Sequence, residues 1–385
     1  MVSRSFSAGR LPEKRRVYPA VHGSLAGLKP RWVLFACFAS AACASRAPVP
    51  ARAVFPIATS WMVSVGEDPI EGPLASDGGR IFVATQGGRV RGLDRFTGAT
   101  LWEVAGRPGA LALAGKVLAL RQADGVVWSM NPDDGSARWK TESGVTGTLP
   151  PAVTADRIMI AGEGLAALDA ASGRVVWSAM DARATTAPAL TATSVVLGEA
   201  DGHIRGRDLA TGKLLWSHAT ARAMQAAPVA DDHGRILVGT TDRRFLSLDG
   251  SGGEVSWTWR LGADVQHAAA LFERLVLFAT HEDVLYALGR GNGHLAWRAA
   301  LPSRPLSGPV LFGDAVLVAC HGARPGETFL IGFDARTGER QGDFKVPGEA
   351  RTPPLLVEDR VYIGLRDRAH SVVSLHLGAA EGPAP

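Results

Sequence analysis

"LDRFTGATLW" (93–102) sets Asp94 four residues before Gly98 and eight before Trp102. An aspartate closing an apolar run accepts backbone N–H bonds in a tight connection, as Asx turns do. A glycine four residues on supplies the φ > 0 corner that branched residues resist. The tryptophan then falls on a second, outer strand. The stretch reads as two strands joined by a short turn, with an indole placed to reach beyond its own hairpin.

The pattern recurs along the chain as "MNPDDGSARW" (130–139), "LDAASGRVVW" (168–177), "RDLATGKLLW" (207–216), "LDGSGGEVSW" (248–257), "LGRGNGHLAW" (288–297), "FDARTGERQG" (333–342) and a partial "LHLG" (375–378). Its second position falls at 94, 131, 169, 208, 249, 289, 334 and 376, a period of 37 to 45 residues. Besides Asp94, Gly98 and Trp102, the repeat singles out Asn131, Gly135, Trp139, Asp169, Gly173, Trp177, Asp208, Gly212 and Trp216. It continues through Asp249, Gly253, Trp257, Gly293, Trp297, Asp334 and Gly338, with Trp61 ahead of the first copy. Two copies have decayed, with Gly289 in the aspartate place and Gly342 in the tryptophan place. Ahead of each copy a Pro or Ala opens an apolar strand (Pro73, Ala110, Pro151, Pro188, Pro228, Ala268, Pro309, Pro354), and a second strand follows in stretches such as "RIFVAT" (80–85) and "RIMIAG" (157–162). Four short strands per unit, repeated at this period, make a propeller blade.

The eighth unit stops at its third strand, near Leu377, whereas "TSWMVSV" (59–65) is a fourth strand with its tryptophan and no preceding three. Pairing the two removes both open edges. The sequence therefore predicts an all-β, eight-bladed β-propeller of four-stranded antiparallel blades over residues 57–378, closed by the N-terminal strand. Seven of the ten tryptophans (61, 102, 139, 177, 216, 257, 297) occupy the wedge place and read as structural. Each buried indole removes about 150–250 Å² from water, an upper bound of about 4–6 kcal/mol.

The net charge of +4 invites a nucleic-acid reading until its location is considered. Residues 1–42 carry seven of the 41 basic residues and one of the 37 acidic ones, leaving 34 basic, 36 acidic and a net charge of −2 beyond them. No basic stripe with interleaved aromatics follows, so nucleic acid is not an expected partner. Within residues 1–42, a basic preamble precedes "KPRWVLFACFASAACAS" (29–45), whose apolar run is too short to span a bilayer and reads as a secretory signal. Ser40-Ala41-Ala42-Cys43 resembles a bacterial lipobox with Cys43 acylated; the same residues also fit an ordinary A-x-A cleavage site, which leads to a soluble periplasmic protein. Ala44 after Cys43 favours the outer membrane by resemblance to lipoprotein sorting. Residues 43–56 are Pro/Ala-rich and read as an extended tether, about 40 Å long at ~3.1 Å per residue; residues 379–385 read as a disordered tail. Cys320 lies in an apolar strand without a partner and reads as a buried thiol.

The unit "LD..TG...W", with Gly- and Ser-rich strand ends, resembles the PQQ-like β-propeller repeat over about residues 57–378. Two families with that repeat are relevant. The quinoprotein alcohol dehydrogenases bind pyrroloquinoline quinone with calcium and carry a vicinal Cys-Cys disulfide, which a propeller with Cys320 as its one cysteine does not form. The BamB-like lipoproteins are similar in size, leader and minimal blades. That resemblance implies a non-enzymatic, monomeric scaffold without cofactor or metal, anchored by lipid and bound to an envelope protein, the β-barrel assembly machinery. The alternatives, in order, are a periplasmic propeller that binds another envelope protein or a polymer, and a PQQ-dependent dehydrogenase.

The connections entering each innermost strand gather on one face and carry Arg107, Arg183, Arg222, Gln225, His267, Arg304 and Arg351. Arginine pairs bidentately with carboxylates and stacks on aromatics, so these residues are the candidates for partner binding. His203, His281, His321 and His370 fall between second and third strands on the same face; without short H-x-x-x-H spacing they read as solvated loop residues rather than metal ligands.

Overall fold

The computed structural model describes residues 53–378, apart from 107, 367 and 368. Among them, 32 strands form eight four-stranded antiparallel sheets. Seven sheets take their strands in chain order, spanning 70–105, 109–142, 152–179, 189–219, 229–260, 270–300 and 310–346 (blades 1 to 7). The eighth combines 355–377 with the N-terminal strand Ile57–Ser64. That strand runs antiparallel to Ser371–Leu377 in the register Ile57↔Leu377, Thr59↔Leu375 and Ser64↔Ser371. The ring thus closes as the sequence predicts.

Hydrophobic burial lies in the seams between blades. In blade 3 the second strand, Arg157–Gly162, is apolar almost throughout because both of its faces are covered. Ile158 and Ile160 pack with Val117, Ala119 and Val127 of blade 2, and Met159 and Ala161 pack with Val195 and Leu197 of blade 4. Outer strands alternate instead. Leu214–Ala219 buries Trp216 between exposed neighbours.

The seams explain the motif. Each wedge indole donates Nε1–H to the carbonyl that follows the motif's second position in the next blade. The pairs are Trp61 to Arg95 (3.0 Å), Trp102 to Pro132 (2.9 Å), Trp139 to Ala170 (3.0 Å) and Trp177 to Leu209 (3.0 Å). Trp216 to Gly250 (3.0 Å), Trp257 to Arg290 (3.1 Å) and Trp297 to Ala335 (3.1 Å) complete the series. The ring of each indole lies on the turn glycine of that next blade. Gly212 is required twice over: its φ is +73°, and a Cβ there would stand 2.4 Å from the Trp177 ring. Asp94 Oδ1 accepts from the backbone N–H of Phe96 (3.0 Å) and Thr97 (2.8 Å) and from the Thr97 hydroxyl (2.8 Å), which hold its carboxyl below the usual range. In blade 6, where Gly289 replaces the aspartate, Gly293 N–H still closes the turn on the Gly289 carbonyl at 2.7 Å, and Asn292 Oδ1 accepts from His294 N–H.

Blade 7 lacks its tryptophan, and the gap at Gly342 is filled from outside the repeat. A Cβ on Gly332 would stand 2.4 Å from Phe55 Cε2, and one on Gly342 would stand 3.0 Å from the same ring. Val54 beside it is buried, and its carbonyl accepts Gly378 N–H at 2.8 Å. Val54 and Phe55, expected in the tether, therefore pack against the propeller and fill the place that blade 7 leaves without an indole. The signal segment, Cys43, Arg107 and residues 379–385 lie outside the described residues.

Candidate functional site

In each blade the strands alternate in direction, so the connection into the innermost strand and the turn between second and third strands share a face. Backbone bonds tie the two sets together: Thr220 N–H to Gly202 (2.7 Å), Ala200 N–H to Arg183 (2.8 Å), Leu301 N–H to Asp283 (2.7 Å) and Arg366 N–H to Glu349 (2.7 Å). Loops so anchored present side chains from a rigid base.

Six of the seven arginine, glutamine and histidine candidates lie in described residues, on successive connections around this face. Arg183 is exposed and donates to the Met180 (2.8 Å) and Ala182 (2.7 Å) carbonyls, with Glu163 at 3.2 Å. Arg222 and Gln225 are exposed on the next connection. His267 is half-buried, its ring 6.3 Å from that of His281, and burial pushes its pKa down. Arg304 is exposed, and its carbonyl accepts His321 N–H at 3.1 Å. Arg351 is exposed and lies near Glu71, whose carboxyl burial raises while the Arg351 charge opposes the shift. The candidates are strung along the ring and do not form one cluster.

Two of them sit in charged clefts that single positions in the sequence do not announce. Around Arg183, a cleft of about 490 Å³ is lined by Asp181, Glu199, Asp201, Arg205 and Arg207. Glu199 is buried and pairs with Arg205 at 2.5 Å, Arg205 reaches Asp201 at 2.5 Å, and Arg207 reaches Asp181 at 2.8 Å. These guanidinium partners hold the Asp181 and Asp201 carboxyls below the usual range. Around Arg222, a second cleft collects further arginines from blade 5.

The four loop histidines do not converge. His203 sits beside Asp201 at 3.2 Å and His281 is 3.9 Å from Asp264. Metal-ligand types come together among the described residues at Asp231, Asp232 and His233, on the opposite face. Those carboxylates already face arginines: Asp231 pairs with Arg235 at 2.7 Å and Asp232 with Arg290 at 2.9 Å. Cys320 is buried, and burial pushes its thiol up to about 12, so it is a poor nucleophile.

One feature of the seam between blades 1 and 2 escapes sequence reasoning. Elsewhere the connections bury an apolar side chain between blades, such as Val145, Met224 or Val265. Gly106 and Pro108, the described residues of the connection between blades 1 and 2, are exposed. A cavity of about 220 Å³ remains, lined in part by Val90, Val104, Leu120, Trp128 and Met130. The Trp128 indole N–H is buried and finds no acceptor among the described residues.

These features define a PQQ-like β-propeller with minimal blades and a polar, arginine-bearing face. The family described as outer membrane protein assembly factor BamB matches residues 58–198, 105–231 and 200–364, and the chain belongs to that family. BamB from Moraxella catarrhalis has the same fold, with a TM-score of 0.68 at 18% identity, covering 83% of this chain and 100% of that one. A quinohemoprotein alcohol dehydrogenase from Comamonas testosteroni superposes with a TM-score of 0.65 at 14% identity, covering 86% of this chain and 77% of that one. The computationally designed Ika8 protein gives 0.68 at 17% identity, covering 81% and 98%. At these identities the likeness speaks for fold alone. The beta-alanine-activating enzyme of Homo sapiens is 25% identical over 99 residues, 25% of this chain, and the chain spans 9% of that enzyme's length.

Proposed function

We propose that this propeller is a non-enzymatic envelope lipoprotein that scaffolds outer-membrane β-barrel protein assembly, anchored through Cys43 and binding its partner on the face that carries Arg183 and Arg222. The observation that carries the reading is the family match, which runs through nearly every blade. The described chain is spent on blades and their short connections, which suits a docking platform. Fold alone does not fix a role, since propellers host many, and the family match is what favours assembly over the quinone chemistry of the alcohol dehydrogenase with the same architecture.

Crosslinking in native membranes followed by mass spectrometry tests the role. Recovery of the β-barrel insertion machinery is expected, with capture weakened by charge reversal at Arg183 and Arg222. Recovery of other envelope proteins or of a polymer would overturn it in favour of a different periplasmic binder. Dye-linked alcohol oxidation by the purified protein with added quinone and calcium would overturn the non-enzymatic part. Palmitate incorporation, lost in Cys43→Ser, tests the anchor; a soluble, unlabelled protein in both would remove it.

A further inference from the structure

The second-to-third-strand turns of blades 1, 2 and 4 each place a glycine in the left-handed region, Gly88 (φ +84°), Gly125 (+91°) and Gly202 (+80°). In each, the glycine carbonyl accepts an N–H from the end of the outer strand or just beyond it: Gly106, Ser143 and Thr220. Blade 6 has Asp283 (φ +59°) at that place, a residue type that tolerates the region. Blade 5 has Arg243 at φ +63°, with its carbonyl bonded to Leu261 N–H at 2.9 Å. A long side chain held at φ > 0 is strained, and such strain persists where the surroundings impose it and concentrates at functional sites.

A second unfavourable feature lies beside the first. Arg244 faces Arg260 directly across the third and fourth strands of blade 5, whereas the corresponding pairs are Arg89↔Ala105, Val126↔Glu142, His203↔Ala219 and Val284↔Ala300 in blades 1, 2, 4 and 6. Like charges directly opposite in a sheet destabilise it. With Arg222 from the neighbouring connection, these residues surround an open cavity of about 530 Å³ lined also by Ala221, Thr241, Asp242 and Leu261. Asp242 is the one carboxylate in that lining, and it is committed to Arg244 Nε (2.9 Å) and Nη2 (2.5 Å) and to the Thr240 hydroxyl. Arg222, Arg243 and Arg260 are exposed and form no ion pair among the described residues.

The geometry points to an anion-recognition site on blade 5 whose occupant is an acidic peptide segment of a partner protein, its carboxylates paired with Arg222, Arg243 and Arg260. Guanidinium groups take carboxylates in a bidentate fork. The opening is wide, and the cations come from three different chain segments, which suits an extended run of carboxylates better than a single small ion. Negative charge that enters beside Arg244 and Arg260 offsets their repulsion, while the left-handed turn holds Arg243 at the rim of the same cavity. This site goes beyond the assembly reading and does not depend on it, since binding is read with the purified chain and a defined peptide.

The test uses the full chain and a fluorescein-labelled octaglutamate peptide, followed by fluorescence anisotropy at low ionic strength. The peptide should bind the wild type and be released as salt rises. Arg243→Gly and Arg260→Thr should each weaken binding by about two- to fivefold, the worth of an exposed ion pair, and the double variant by about the product. Arg243→Gly restores the residue of the sister blades, so it should raise Tm while lowering affinity, a combination that misfolding does not produce. Arg174→Ala, on the opposite face, should leave binding unchanged. Absence of peptide binding by the wild type would overturn the proposal. So would equal affinity in the double variant, or capture of phosphatidylglycerol vesicles or inorganic phosphate with the same arginine dependence while octaglutamate is ignored.

Discussion

Seven seams of the propeller are sealed by an indole from one blade set against a glycine of the next, and one seam is not. Between blades 7 and 8 the wedge place holds Gly342, and Phe55 from ahead of the first strand lies over Gly332 and Gly342. The direction of the accompanying hydrogen bond is reversed. At the other seams the wedge donates to a carbonyl of the next turn; here the Gly378 N–H of that turn donates to the Val54 carbonyl. The comparison shows that a seam needs an aromatic volume and one polar tie to the next turn, and that neither has to come from the repeat. It also shows how the ring is locked. The N-terminal segment holds blade 8 through Ile57–Ser64 and blade 7 through Phe55, so two blades are fastened by one stretch of chain. At the following seam, between blades 8 and 1, Trp61 and Tyr362 both donate to the Arg95 carbonyl, at 3.0 and 3.1 Å.

The strongest way to break an indole seam is Trp216→Ala. Trp216 is buried and its N–H is tied to Gly250, so its loss leaves a cavity and takes from the Gly250 carbonyl one of two donors, the other being the Ser194 hydroxyl at 2.9 Å. A decrease of about 3–5 kcal/mol in unfolding free energy is expected from denaturant titration. An unchanged midpoint would remove the wedge from the account of stability. Phe55→Ala should cost less, about 2–3 kcal/mol, because the ring is half-buried and part of its surface is wet already. Gly342→Trp restores the repeat but forces an indole into the space Phe55 fills. Alone it should destabilise, and combined with Phe55→Ala it should recover most of the loss. A double-mutant cycle measures this coupling, and simple additivity would refute the idea that the two residues share one place.

The regular seams were legible because their requirements are local: an apolar strand, Asp94 or Asp208 to cap the turn, a glycine at φ > 0 and an indole at fixed spacing. Closure was legible from arithmetic, one strand short at the end and one spare at the start. The irregular seam was half legible. Gly342 announced a missing tryptophan, but Phe55 sits in a Pro/Ala-rich stretch whose composition resembles a tether, and nothing in one sequence joins residues so far apart in the chain. The working face was legible as a set of connections, and its chemistry was not. Arg222 was visible as a loop arginine. Arg243 becomes informative only when its turn is aligned with those of Gly88, Gly125 and Gly202 and its φ is known. Arg244 and Arg260 become a pair only through the register.

Gly212→Ala probes the receiving side of a seam. The new Cβ would meet the Trp177 ring in a left-handed conformation, so a loss of about 1–3 kcal/mol is expected, with Trp177 fluorescence shifted as the ring yields. The same substitution at Gly313, also at positive φ but with nothing within 4 Å of an added Cβ, separates conformational strain from steric conflict with the indole. A loss at Gly212 no greater than at Gly313 would mean that the wedge does not press on its glycine.

The smallest effect concerns pH, and it again divides the seams. Hydroxyl and backbone donors hold the Asp94, Asp169, Asp208 and Asp249 carboxyls below the usual range. A carboxylate whose folded pKa is depressed adds stability that is complete above its unfolded value of about 3.9 and is lost as pH falls through the folded value. Blades 6 and 8 have Gly289 and His376 at that place and carry no such carboxylate. Acid should therefore loosen the turns of blades 1, 3, 4 and 5, and that of blade 2 through Asp134, whose carboxyl the Ser136 hydroxyl and N–H hold down in the same way, but not those of blades 6 and 8. Asp208→Asn supplies the residue type that blade 2 already uses at Asn131, so its turn should form, and the variant should lose part of the wild-type decline in urea midpoint between about pH 5 and pH 2. The Gly289→Asp substitution should do the reverse, adding to that decline. If Asp208→Asn follows the wild-type pH profile throughout, the turn aspartates owe their place to shape and hydrogen bonding alone, and their charge contributes nothing that protonation can remove.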